Sequence, residues 1–210
     1  EKGPVELRLG LGVEFTEDMA DPPLAATVQL FADRNGTAVE KLVLATHDQP
    51  AVTARGFLPV ILQSPASGRI IQVDSQQRLE LSAGTQPNPY LWDQVARRTG
   101  IKLREPELKL DLTGTLEAPQ GRITLAAARL EPSRLERPAP PLEGLFVQLD
   151  LDRERARLAE FHLLVARQPV TASGELPLGK EFWDGLGNRK LSVDWKQASG
   201  RLRIPPAELA

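Results

Sequence analysis

The chain has 210 residues, 41% of them apolar, 26% charged and only 5% aromatic, a composition that suits one or two folded domains with a sizeable core and excludes a disordered chain. A formal net charge of -2 supplies no general attraction to nucleic acid or to an anionic membrane, and the absence of Cys excludes disulfides, thiolate metal sites and cysteine nucleophiles. No run approaches the ~18 apolar residues of a membrane span, and a chain without thiols fits an oxidising compartment.

The first element is VELRLGLGVEF. Val5, Leu7, Leu9, Leu11, Val13 and Phe15 point one way and Glu6, Arg8 and Glu14 the other, which is the period of a strand with one buried and one wet face. TEDMADPP is a loop. AATVQLFAD is a second strand, Asn35-Gly36 a hairpin turn, and Val39 to Ala45 the return strand. PAVTARGFLPVIL, RIIQVD and RLELSAG continue the strand pattern. PNPYLWDQVARRTG breaks it. Asn88 and Pro89 open a helix over Tyr90 to Thr99, Leu91, Val95 and the stem of Arg98 share a face, and Gly100 closes it.

Alternation resumes in PELKLDLTGTLEAP, with Leu108, Leu110, Leu112, Gly114 and Leu116, and in GRITLAAARLE, with Ile123, Leu125 and Ala127. The Pro-rich stretch around Pro138 to Pro141 is a short linker or edge loop. LFVQLDLD places Leu145, Val147, Leu149 and Leu151 on one face. RERA is a charged turn. RLAEFHLLVA, PVTASGELP, RKLSVDW and GRLRIP complete the strands, and KEFWDGLG has room for one helical turn.

Two stretches echo each other. LVLATHDQPAVTARGFLP, from Leu42 to Pro59, and HLLVARQPVTASGELP, from His162 to Pro177, both read strand, Gln-Pro, then Val-Thr-Ala-x-Gly-x-Leu-Pro. Each is followed by a Trp-containing piece, at Trp92 and Trp183. This is a repeated hairpin. The chain therefore reads as a single β-rich segment over 1–210, cut from a longer protein. A subdivision into 1–104 and 105–210 leaves a single copy of the hairpin in each half.

About a dozen strands and two short helices cannot be covered by helices, so the aliphatic faces must cover one another or a ligand. A barrel, a sandwich or a curled sheet would do this. Short turns and a lining of Leu, Val, Ile and Ala with few aromatics favour a mostly-β fold in which a long antiparallel meander curls into a U-shaped groove, a β-taco. A β-sandwich is the alternative, with the apolar residues as an ordinary core.

LKLDLTGTLEAPQGRITL resembles a recurring phrase of the bacterial TamB-type translocation and assembly module proteins and their AsmA-like relatives. In these an alternating strand ends in Gly-x-Leu, a short turn carries Pro, and a Gly-x-Ile strand returns. Here the phrase is carried by Gly114, Leu116, Pro119, Gly121 and Ile123. PVTASGELPL resembles their second phrase through Val170, Ala172, Gly174 and Leu176, with Val52, Ala54, Gly56 and Leu58 as a first copy. The resemblance covers about fifty residues as motif. It implies a protein anchored in the bacterial inner membrane through other segments of a longer parent chain, and reaching across the periplasm.

The implied function is phospholipid transport, or help in outer-membrane biogenesis. The expected partners are phospholipid acyl chains and, through the parent chain, an outer-membrane barrel protein, with no nucleic acid. Acyl chains gain about 0.8 kcal/mol per buried CH₂ and need no hydrogen bonds. The expected lipid-facing residues are Val5, Leu7, Leu9, Leu11, Val13, Leu108, Leu110, Leu112, Ile123, Leu125, Val147 and Leu149. A structural or adhesive β-domain of a large surface protein, binding glycan or protein, is the alternative.

No reactive constellation competes with these readings. His47 sits in a turn beside Asp48 and His162 in a strand beside Phe161, and solvated or partly packed imidazoles are favoured over a two-His metal site across the repeat. Gly10-Leu11-Gly12 lies inside a strand and lacks the rest of a dinucleotide fingerprint, and no Ser occupies a Gly-x-Ser-x-Gly elbow. Glu17 and Asp18 fall in a loop. Asp152 to Arg157 is a balanced, wet hairpin tip. Asn35-Gly36-Thr37 matches a glycosylation acceptor but is accounted for by its turn. Trp92, Trp183 and Trp195 read as packing on a sheet rather than as a sugar platform. The expectation is a non-enzyme without cofactor or metal.

Overall fold

Period-two alternation becomes antiparallel pairing in a computed structural model that describes residues 7–15, 24–33, 36–62, 71–132, 140–179 and 195–204. The fold is mostly β. The described chain divides into two compact units, Glu1–Leu91 with Lys109–Pro119, and Trp92–Leu108 with Gln120–Ala210.

The first unit holds β1 (Leu7–Phe15), β2 (Leu24–Asp33), β3 (Gly36–Thr46), β4 (Gln49–Leu58), β5 (Val60–Leu62), β6 (Ile71–Val73), β7 (Arg78–Thr85) and most of β9 (Glu107–Thr115). Its main sheet runs β1-β2-β3-β4-β7-β9, a meander in which β1 to β4 pair in sequence order and β7 and β9 follow, skipping β5, β6 and β8. The second unit holds β8 (Ile101–Arg104), nearly all of β10 (Pro119–Pro132), β11 (Leu142–Leu151), β12 (Arg155–Val165), β13 (Gln168–Pro177) and β14 (Ser199–Arg203). Its order is β10-β11-β12-β13-β14, with β8 also paired to β10. Within neither unit do the outermost described strands pair with each other, so neither closes as a barrel.

The helix α1 spans Pro89–Thr99. Asn88 caps it, because its side-chain oxygen accepts the Leu91 amide at 3.0 Å. Gly100 ends it with φ at +74°, and its amide reaches the Ala96 carbonyl at 2.8 Å. Two hairpins turn through residues with positive φ at both central positions, His47 and Asp48 between β3 and β4, Ala166 and Arg167 between β12 and β13. That is the twist that suits a two-residue connection between right-twisted strands.

One pair of strands departs from a uniform meander. The FLPVIL and RIIQVD stretches give β5 and β6, which form a separate two-stranded sheet, with β5 against β2 and β3. Pro59, fully buried, separates β4 from β5 and cannot donate to a ladder, while its carbonyl accepts the Asp74 amide at 3.0 Å. The Thr37 hydroxyl, on β3, donates to the Val60 carbonyl at 2.6 Å. Several sequence readings lie outside the described residues: Val5, the 16–23 loop, Asn35, residues 133–139 of the Pro-rich stretch, the piece around Trp183, and the RKLSVDW strand up to residue 194. Trp195 itself opens a short 3-10 turn, Trp195–Gln197.

Candidate binding surface

Residues paired across an antiparallel ladder share a face, so the register sorts each unit's side chains. In the first unit Leu112 opposes Leu81 and Leu110 opposes Ala83. Leu81 in turn opposes Gly56, and Ala83 opposes Ala54. Ala54 opposes Leu42, and Val52 opposes Leu44. Leu42 and Leu44 oppose Val28 and Ala26, and Val39 opposes Leu30. Strand β1 continues the series by register alone, with Leu7, Leu9, Leu11 and Val13 opposite Ala32, Leu30, Val28 and Ala26. The result is one apolar face crossing β2, β3, β4, β7 and β9, with the register of β1 in line with it.

The opposite face is largely polar. Arg55 opposes Ser82, which opposes Asp111, and the Ser82 hydroxyl donates to the Asp111 carboxylate at 2.7 Å. Gln29 opposes Lys41, and Glu80 opposes Thr113.

Burial shows how the apolar face is covered. Ala32, Thr37, Val39 and Leu79 are buried at one end of the strands, and Thr46, Ala51 and Asn88 at the other. The β5 strand accounts for the first end through Thr37. Asn88 accounts for the second: its oxygen accepts the Thr46 hydroxyl at 3.2 Å and its NH₂ donates to the Gln49 carbonyl at 3.0 Å. Between the ends Val28, Leu30, Leu42, Leu44, Val52, Leu81, Leu110 and Leu112 are all half-buried. A closed core of this size would bury them. Leu108 keeps the same alternation and is half-buried as well, while Lys109, Asp111 and Thr113 are exposed.

The second unit repeats the pattern. Ile123 opposes Leu149 and Leu125 opposes Val147, all four half-buried. Leu158 continues the face from Leu149, and Leu163 opposes the buried Val170. The other face carries the Arg122–Asp150 ion pair at 2.9 Å. Ion pairs Arg129–Glu143 and Arg104–Glu131 lie at the far ends of the strands. The Arg104 guanidinium holds the Glu131 carboxyl below its ordinary range. At the hairpin tip the Asp152 carboxyl is also held low, first by the Glu154 amide and then by that of Arg155.

The register therefore gathers Leu110 and Leu112 with Leu7, Leu9, Leu11 and Val13 in one unit, and Ile123, Leu125, Val147 and Leu149 in the other. The middle-strand members Leu42, Leu44, Ala54, Leu81, Leu158 and Leu163 belong to the same faces; alternation links Leu42 with Leu44, whereas Leu158 and Leu163, five positions apart, share a face only through the register shift between them.

The polar face of the first unit holds a feature that the sequence did not announce. Two open hollows adjoin there, of about 870 and 390 Å³, sharing Glu40, Arg55, Ser82 and Asp111. Their walls mix both charge signs, with Arg78 and Glu80 paired and Lys41 and Lys109 nearby. Such a lining is unsuited to an acyl chain.

The histidines hold separate places. The His47 ring stacks on Tyr90 with centroids 4.1 Å apart, and His162 Nδ1 lies 3.3 Å from the Gly144 carbonyl. Among the described residues no three His, Asp or Glu side chains gather as metal ligands, and no helix is long and apolar enough to cross a membrane. The chain matches no known family model, no curated protein and no solved structure.

Proposed function

We propose that this chain is a lipid-binding segment of a periplasm-spanning transfer protein of the TamB or AsmA-like kind, and that its apolar faces take phospholipid acyl chains. On this reading it is not an enzyme, and it aids phospholipid transport or outer-membrane biogenesis. An inner-membrane anchor and contact with an outer-membrane barrel protein belong to the parent chain. The observation that supports the reading is the half-burial of the leucines along the apolar face of β2, β3, β4, β7 and β9, Leu81 and Leu112 among them. Aliphatic surface left accessible in this way is costly in water, and an acyl chain removes that cost without any hydrogen bond.

A photo-crosslinking residue at 110, compared with one at 111, tests the reading in the presence of phospholipid vesicles. Lipid adducts at 110 and none at 111 are the expected result. No adduct at 110, with glycan or protein captured through the polar face, would replace lipid transfer by the adhesive reading.

A further inference from the structure

The sequence echo has a counterpart in backbone geometry. Val39 opposes Gly56, Val43 opposes Thr53, Leu44 opposes Val52 and Thr46 opposes Gln49. In the second hairpin Leu158 opposes Gly174, His162 opposes Thr171, Leu163 opposes Val170 and Val165 opposes Gln168. Each register contains one surplus residue in its first strand. On β3 it is Glu40, since Gln29 and Leu30 are consecutive while their partners Lys41 and Val39 are not. On β12 it is Ala159, since Gln148 and Leu149 are consecutive while their partners Glu160 and Leu158 are not. Both are β-bulges, and they fall at the same place in the repeat.

The side chains at the two bulges differ, Glu in one and Ala in the other. What the repeat keeps is the backbone irregularity. Opposite each lies a glycine with a neighbouring strand drawn in close. A Cβ on Gly56 would overlap the Glu80 carbonyl, and one on Gly174 would stand 2.9 Å from the Ser199 carbonyl oxygen. Bulges bend a strand and raise its twist, and they leave one residue outside the ladder. Dropping Glu40 would leave Val39 opposite Leu30 and Gly56, and Lys41 opposite Gln29, so every apolar residue would keep its face. The same holds for Ala159. In the second hairpin a plain ladder was thus one residue away, while in the first a separate irregularity near the turn, with Ala51 surplus on β4, would remain.

We infer that the paired bulges at Glu40 and Ala159 are shape-setting devices, kept against local stability, that fix the curvature with which each apolar face meets an acyl chain. The last step rests on the lipid-binding reading, while the bending itself does not.

The experiment removes Glu40, Ala159 or both from the full chain, with Glu40→Ala as a control that retains the bulge. The chain has no Cys, so spin labels can be placed uniquely. Asp48→Cys with Gln76→Cys brackets the first hairpin's strands end to end, and Glu154→Cys with Arg167→Cys brackets β12. Expected are deletion variants that melt no lower than the parent, show a longer label separation despite the lost residue, and retain a fluorescent fatty acid about tenfold less well. Glu40→Ala should change none of the three. Unfolding of both deletion variants, an unchanged label separation, or unchanged fatty-acid retention overturns the inference. An unaltered chain that retains no fatty acid while the deletions still lengthen the separation would sink the lipid reading and leave the bending intact.

Discussion

Leu81 and Leu112 stand directly opposite one another across β7 and β9, on a face with no polar residue between the strand ends, and neither is buried. Their flanking neighbours Ser82 and Asp111 are exposed on the other face and bonded to each other. The sheet is therefore sharply two-sided, yet the greasy side is accessible. That combination sets the response to substitution.

Leu110→Asp should be tolerated by the fold. An unpaired charge in a sealed core costs about 3–5 kcal/mol. At half-buried Leu110, which water reaches, the expected loss is under about 1.5 kcal/mol, mostly from the missing aliphatic contact. Chemical denaturation checks this. A loss as large as the buried-charge range would mean that the face is sealed. On the proposed lipid-binding reading, Asp111→Leu should leave acyl-chain retention unchanged, and it should cost little beyond its bond to Ser82.

Replacing Ala166-Arg167 by Asn-Gly should stabilise the second hairpin. Both residues hold positive φ, 49° and 71°, which strains a side chain with a Cβ. Asn-Gly adopts this turn readily. A gain of about 1 kcal/mol is expected, read as a raised denaturation midpoint at constant slope. The same exchange at His47-Asp48 should gain less, because it removes the stacking of His47 on Tyr90.

Asn88→Ala should cost about 2–3 kcal/mol. The helix loses its cap, typically about 1 kcal/mol, and the buried Thr46 hydroxyl and Gln49 carbonyl lose partners at once. Asn88→Asp should restore the cap to Leu91 but not the bond to the Gln49 carbonyl, and so should fall between Ala and the parent. The Asp carboxylate can still accept the Thr46 hydroxyl, so equal losses for the two variants would assign the whole effect to the missing bond to the Gln49 carbonyl.

Acid should loosen the tip between β11 and β12 only as pH falls below the ordinary aspartate range. The Asp152 carboxyl is held below its ordinary value, chiefly by the Glu154 and Arg155 amides. A carboxyl with a lowered folded-state pKa adds stability that is present above its unfolded pKa and is lost as pH falls through the folded pKa. Nuclear magnetic resonance titration should find Asp152 protonating below a peptide aspartate. Asp152→Asn should abolish the acid sensitivity of the Glu154 and Arg155 amide shifts. A normal titration point would remove the amides as the cause.

Much of this architecture was legible because strand faces report directly in period two. Leu108, Leu110 and Leu112 needed only alternation, and Asn88, Pro89 and Gly100 marked the helix by capping chemistry. The bulges were less visible. Val39 and Leu42 share a face although three positions apart, so Glu40 reads as a slip in the pattern unless its neighbours' registers are known. The separate β5–β6 sheet was not legible either. Strands of three residues carry too little periodicity to name their partner, and only the buried Pro59 and the Thr37 bond to Val60 place them. The mixed-charge hollow around Arg55 gathers residues from four strands, and no local pattern announces such a gathering.

Because each main-sheet strand of the first unit draws its ladder bonds from adjacent strands alone, the hairpin of β3 and β4 behaves like a plank in a boardwalk. A further plank can be inserted by duplication without redesigning a central core, as in other repeat architectures. The Val-Thr-Ala-x-Gly-x-Leu-Pro hairpin, present twice with a bulge at the same place in each first strand, is what such an insertion would leave behind. Length is then the property that evolution can adjust most freely in a surface of this kind, one hairpin at a time.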